Sequence, residues 1–266
     1  MWLGSSFFDF NIRGAHIDFS GKNMFAAYKK EGLLRYWRIS GNGRLEHVDD
    51  YRWDSNELGV FECFKTRDNS PYIFMFFESY TLQCLEITKD NTLKLNWSSK
   101  VSFKNPSTMR EEEFCCIKMN YLEKQKILLL GSLGSRIIAY NFETGTKIGD
   151  YLPTGPSSDD SDNYIATIAV SDKHSCFITA SQTLQTDIVL WRWDEQANIL
   201  VKIDAKPFRE LSRDVMIHQI SIFDKDGCVF LKTAENIYIY SMKPDRTLKH
   251  ITTIDISKVD GYQGFS

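Results

Sequence analysis

The residues able to do chemistry are the histidines, cysteines and carboxylates, and in this chain none stands at a spacing that makes a reaction centre. The five histidines, His16, His47, His174, His218 and His250, are scattered at no metal-ligand interval. No nucleophile elbow sets a Ser or Cys beside any of them, so a catalytic triad has no support. The six cysteines, Cys63, Cys84, Cys115, Cys116, Cys176 and Cys228, include no CxxC pair. Adjacent Cys115 and Cys116 would point to opposite faces of a strand, which argues against a shared metal. Residues 131–135, Gly-Ser-Leu-Gly-Ser, have the glycines of a phosphate-cradling loop but no following Lys-Ser/Thr and no helix, so they read as a hairpin turn. No catalytic, cofactor-binding or metal-ligating residue is assigned, and a non-enzyme is the expectation.

Recognition chemistry is better represented. Tyr51, Arg52 and Trp53 put two large aromatics and a cation in one connecting segment, and Phe208, Arg209 and Arg213 do so in another. Such side chains anchor protein interfaces because they bury much area at low entropic cost. Tyr51 and Trp53 could equally finish an outer strand, and residues 207–218 could hold a short helix with Phe208, Leu211, Val215 and His218 on one face. The stretch 153–162, with the acidic residues 157–162, carries too little apolar surface to order itself and reads as a linker or a phosphorylatable acidic tag. Glu111, Glu112 and Glu113 read as a solvated run between repeats.

Bulk properties narrow the classes. A net charge of -3 gives no cationic excess to neutralise phosphates, so nothing points to a dedicated nucleic-acid binder. Lys29, Lys30, Arg209 and Arg213 are the only hints of lipid or RNA binding. Apolar residues at 42% and charged residues at 25% lie in the range of globular chains. The first ten residues lack a signal peptide's basic region and apolar run, and no uninterrupted apolar stretch is long enough to span a bilayer. An intracellular location, cytoplasmic or nuclear, is expected.

The elements that position these residues are strands. Residues 136–145 alternate apolar and polar positions and end in a Thr-Gly turn, and the same frame recurs at residues 34–40, 82–88, 188–194 and 237–242. Aligned on Trp37, Leu85, Tyr140, Trp191 and Tyr240, the copies are spaced 48, 55, 51 and 49 residues apart. Around each copy lie three more short strand patterns separated by polar turns. A period near fifty, with an apolar period of two, predicts four antiparallel strands per unit, which is the blade of a propeller. The units run over residues 14–53, 58–103, 113–152, 163–205 and 216–256 of a single domain, 1–266. The long links between units, residues 49–58, 104–113, 153–163 and 206–213, are the expected working loops.

At these positions the chain resembles the WD-repeat family. Residues 34–39, 137–145 and 188–194 are similar to its third strand and following turn, and residues 19–22 and 170–173 to its first turn. The signature Trp is kept as Trp37 and Trp191 and replaced at Leu85, Tyr140 and Tyr240. There is no Gly-His dipeptide, so the family's buried Asp-His-Ser/Thr-Trp network is not expected and apolar packing should hold the blades. The pair Trp53-Asp54 is out of register. The resemblance implies an all-β propeller of five WD-like blades acting as a scaffold for other proteins. The ring is either closed at five blades, strapped by residues 5–10, or open and completed by strands from a partner. A substrate receptor of a ubiquitin ligase and a propeller enzyme are the alternatives.

Overall fold

The computed structural model describes residues 12–17, 21–54, 58–65, 71–104, 111–114, 116–132, 136–151, 165–181, 188–194, 196–197, 199–204, 217–245 and 247–257. The expected strap at residues 5–10 lies outside them. The chain divides into two compact units, residues 1–102 and 103–266.

In the first unit, β1 (Ile12–Ile17), β2 (Asn23–Tyr28), β3 (Leu33–Ile39) and β4 (Leu45–Arg52) form one antiparallel sheet in chain order. A second sheet, β5 (Leu58–Lys65), β6 (Pro71–Phe77), β7 (Thr81–Ile87) and β8 (Leu93–Lys100), has the same order. Period-two patterning makes each sheet two-faced. Phe25, Ala27, Leu34 and Tyr36 of the first sheet pack against Leu58, Ile73, Met75, Phe77 and Leu85 of the second. The rings of Phe25 and Tyr36 stack with centroids 5.0 Å apart. Each of the larger ones, such as Phe25, Leu34, Ile73 and Met75, contributes about 1.5–3 kcal/mol by leaving water. After β8, a short ladder pairs β9 (Ser102–Lys104) with β10 (Glu111–Glu113), so the Glu run expected as a solvated link is a strand.

The second unit holds three more four-stranded sheets, each in chain order. They are β11 (Cys116–Leu122), β12 (Ile127–Ser132), β13 (Ile137–Asn141) and β14 (Lys147–Tyr151); β15 (Ile165–Ser171), β16 (Cys176–Ser181), β17 (Ile188–Asp194) and β18 (Ile199–Asp204); and β19 (Gln219–Phe223), β20 (Cys228–Lys232), β21 (Asn236–Met242) and β22 (Leu248–Asp255). First strands lie side by side, β11 against β15 and β15 against β19, whereas the fourth strands β14 and β18 barely meet. Sheets stacked face to face and splayed at their last strands are arranged as propeller blades.

One feature repeats in all five sheets. The register between third and fourth strands slips immediately before Trp37, Leu85, Tyr140, Trp191 and Tyr240. These are the positions on which the sequence repeats align, so the slip is a β-bulge built into the unit.

Candidate interaction surfaces

The segment carrying Tyr51, Arg52 and Trp53 is less of a loop than its sequence suggests. Strand β4 continues until Arg52 pairs with Leu33. The link expected over residues 49–58 is therefore shorter, because the ladder with β3 still satisfies its backbone there. Tyr51 donates its hydroxyl to Gln83 Oε1 at 3.2 Å, and burial, with Asp54 nearby, pushes its phenol pKa up. The Trp53 backbone N–H donates to Gly32 O at 3.0 Å, and the indole ring meets Phe77 edge-on with centroids 5.8 Å apart. Both aromatics pack on the core between the two sheets. Arg52 is exposed. Gly32, at φ +58°, makes this closure feasible: a Cβ there would come within 2.5 Å of the Trp53 carbonyl oxygen. Phe208, Arg209, Arg213, the acidic residues 157–162 and the expected helix at 207–218 lie outside the described residues.

On the opposite face of the same sheet, Arg35 grips Asp50 with two bonds, Nε to Oδ1 at 3.0 Å and Nη2 to Oδ2 at 3.3 Å. The guanidinium lies 5.6 Å from the Tyr28 ring and 6.0 Å from the Trp37 ring. His47 Nε2 sits 2.9 Å from Asp50 Oδ1. Burial alone would raise the Asp50 pKa, but the hydrogen bonds from Arg35 and His47 and their charges hold it below its ordinary value. A His-Asp pair serves a nucleophilic reaction when a Ser, Thr or Cys stands on the other ring nitrogen; the bond seen for His47 is the one to Asp50. Arg35, Trp37, His47 and Asp50 thus form one connected polar and aromatic cluster on this face.

The second unit has a polar clasp between neighbouring sheets. Asp172, the first turn residue after β15, accepts the backbone N–H of Glu123 at 2.7 Å and of Lys124 at 3.3 Å from the preceding sheet. Asp224, at the same position after β19, accepts the N–H of Lys173 at 3.1 Å and the Ser171 hydroxyl. Strand-end pairs Leu122 with Ile127, Ser171 with Cys176 and Phe223 with Cys228 fix this equivalence. Burial pushes the Asp172 pKa up; its backbone bonds oppose this, and the charge of Asp224 adds to it. The sequence carried a signal for the clasp in Asp172-Lys173 and Asp224-Lys225, each directly after a first strand. Apolar packing is supplemented in the core by one buried bond, from Trp191 Nε1 to Thr179 Oγ1 at 3.0 Å.

Between the first two sheets of this unit opens a cleft of about 410 Å³, lined by Gln125, Asn141, Thr144, Thr146, Lys147 and Trp193 among others. Its lining holds no carboxylate, His or Cys. Among the described residues no group of three or more His, Cys, Asp or Glu could hold a metal. Cys84, Cys116 and Cys176 are buried, and burial drives the Cys84 thiol pKa well up, so these act as small apolar side chains.

No protein-family model matches the chain, and no curated protein does. Solved structures do. A protein from Lactobacillus plantarum matches with a TM-score of 0.66 at 13% identity, over 90% of this chain and 70% of its own. A protein described as a 6-phosphogluconolactonase candidate from Bacteroides fragilis matches with a TM-score of 0.63 at 14% identity, over 88% and 68%. Sqt1 of Saccharomyces cerevisiae matches with a TM-score of 0.64 at 13% identity, over 92% and 62%. The fold is of propeller type. Identities this low carry the fold alone. Among the described residues no helix is long and apolar enough to cross a membrane.

Proposed function

We propose that this propeller is a non-catalytic scaffold that holds other proteins within an intracellular complex. The observation that carries the reading is the way Tyr51 and Trp53 are locked into the core while Arg52, between them, is exposed. A cation held on a rigid strand loses little entropy on binding, which favours a pre-organised contact. The Arg35, Trp37, His47 and Asp50 cluster offers a second such surface on the same sheet. Arg209 and Arg213, together with Phe208, remain proposed contacts on their link.

The test is co-purification from native cells of the intact protein beside an Arg52→Ala/Arg209→Ala/Arg213→Ala variant. Tyr51 and Trp53 are left alone because they fill the core. Loss of a stoichiometric partner set with unchanged stability supports the scaffold. Absence of any partner with the intact protein sinks it. An enzyme reading draws on the lactonase candidate among the structural matches, while Lys147 is the one titratable side chain in the lining of the cleft in the second unit.

A further inference from the structure

Ser175 holds both sides of the cleft between the sheet β11 to β14 and the sheet β15 to β18. Its Oγ accepts Gln125 Nε2 at 2.8 Å from the first sheet, and its carbonyl accepts the Trp193 backbone N–H at 3.2 Å within the second. The turn between β13 and β14 is fixed as firmly. Asn141 Oδ1 accepts the N–H groups of Glu143 at 3.0 Å and Thr144 at 3.1 Å, which leaves Nδ2 as the side-chain group it can offer a ligand. Thr144 Oγ1 donates to Thr146 Oγ1 at 2.9 Å and accepts the Thr146 N–H at 3.3 Å, so the hydroxyl with a hydrogen left to give is that of Thr146. Ile127, Ile148 and Trp193 are the apolar part of the lining. Two fixed donors thus stand beside an apolar wall.

We infer that this cleft binds an extended peptide segment of a partner protein; the inference deepens the scaffold reading and rests on it. One apolar side chain of the segment lies on Ile127, Ile148 and Trp193, while its backbone carbonyls accept from Asn141 Nδ2 and Thr146 Oγ1. The donor chemistry selects carbonyls, which are acceptors only and recur along any extended chain. The size selects a single side chain of about leucine bulk with its flanking backbone, since about 410 Å³ is at the small end of binding pockets, which span roughly 300–1,000 Å³. A saccharide would need a whole aromatic face to lie on, and Trp193 is only 7% exposed. A phosphate would need an unbalanced cation, and Lys147 lies 2.8 Å from Asp150 Oδ1. Because Gln125, Asn141 and Thr144 are already held by their own bonds, little ordering is left to oppose binding.

The test titrates the isotope-labelled full chain with the blocked pentapeptide acetyl-Ala-Ala-Leu-Ala-Ala-amide and follows the Asn141 side-chain amide and the Trp193 indole by NMR. Saturable shifts at these two groups, half-complete at about 1 mM, are expected. The same peptide with Ser in place of Leu should bind at least about tenfold more weakly. Asn141→Asp keeps an oxygen for the Glu143 and Thr144 amides but removes the Nδ2 donor, and should weaken binding at least about tenfold. Thr146→Val removes the hydroxyl and should weaken it about fivefold, thermal unfolding of both variants checking that the fold is kept. Binding that both variants leave unchanged, shifts confined to other residues, or saturation of the same two groups by methyl glucoside or inorganic phosphate instead of the peptide overturns the peptide site. If no shifts appear while the intact protein still brings down its partners from native cells, the scaffold stands and the peptide site falls; no shifts and no partners remove both.

Discussion

Asp224 accepts the backbone N–H of Lys173 at 3.1 Å across the seam between two blades, and the same carboxylate accepts the Ser171 hydroxyl. One repeat earlier, Asp172 does the equivalent for the backbone N–H groups of Glu123 and Lys124. A single acidic turn residue thus fixes the offset of one sheet on the next, which apolar contact alone leaves free because burial is non-directional.

Replacing Asp224 with Ala should therefore cost roughly 1–3 kcal/mol, as charge-assisted bonds are lost and their donors left behind. Urea unfolding of the variant should show a lowered midpoint at unchanged slope. A shift below about 0.5 kcal/mol would mean that water replaces the clasp without penalty.

Acid should act oppositely through Asp172 and Asp50. The Asp172 pKa is raised in the folded chain, so the native state takes up the proton first. Its contribution to stability grows as pH falls from the raised value toward 3.8, and is lost as pH rises through that window. Asp50 is lowered, so its contribution is present above 3.8 and is lost as pH falls through the folded value. Asp172→Asn should compare more favourably with the unmodified protein at neutral pH than near pH 3.8, and Asp50→Asn less favourably, by unfolding at a series of pH values.

Trp191 and Thr179 should be energetically coupled. Trp191→Phe removes the buried Nε1 donor, and Thr179→Val removes its acceptor. Each alone should cost about 1–2 kcal/mol, and the double variant less than their sum by about 1 kcal/mol. Additive costs would show that the bond contributes nothing beyond packing.

Gly32→Ala should destabilise the first unit by roughly 1–3 kcal/mol, because a left-handed residue would also be driven against the Trp53 carbonyl 2.5 Å away. Trp53 fluorescence, followed on thermal unfolding, reports the loss. An unchanged transition would show that the β2–β3 turn shifts freely to admit the methyl group.

Alkylation should separate the thiols. Cys228, half-buried in β20, should react at least about tenfold faster with iodoacetamide than the buried Cys84, Cys116 or Cys176. Peptide mapping after a timed pulse measures this, and equal rates would mean that the sheets open on the labelling timescale.

Much of this architecture is readable from residue order. Strand period, the spacing of five units and the aligned positions Trp37, Leu85, Tyr140, Trp191 and Tyr240 are local properties of the backbone, and each aligned residue follows a bulge. The strand β21 (Asn236–Met242) falls within a residue of the frame read at 237–242, since alternation with flanking turns fixes both ends. The first strand was harder: β1 begins at Ile12, ahead of the unit expected from residue 14, because pairing with Tyr28 across a bulge extends it.

What the sequence could not settle is which face has a neighbour. Tyr51 and Trp53 have the composition of an interface, yet β5 and β6 lie against them, while Phe223 and Ile254 have the composition of a core and face solvent. Alternation assigns a residue to one side of a sheet; whether that side is buried depends on a sheet tens of residues away. The clasps of Asp172 and Asp224 are of the same kind, for a turn aspartate looks alike in sequence whether it meets water or the amides of the next blade. Strands and repeats were thus set by local patterning, and the working surfaces by packing at long range.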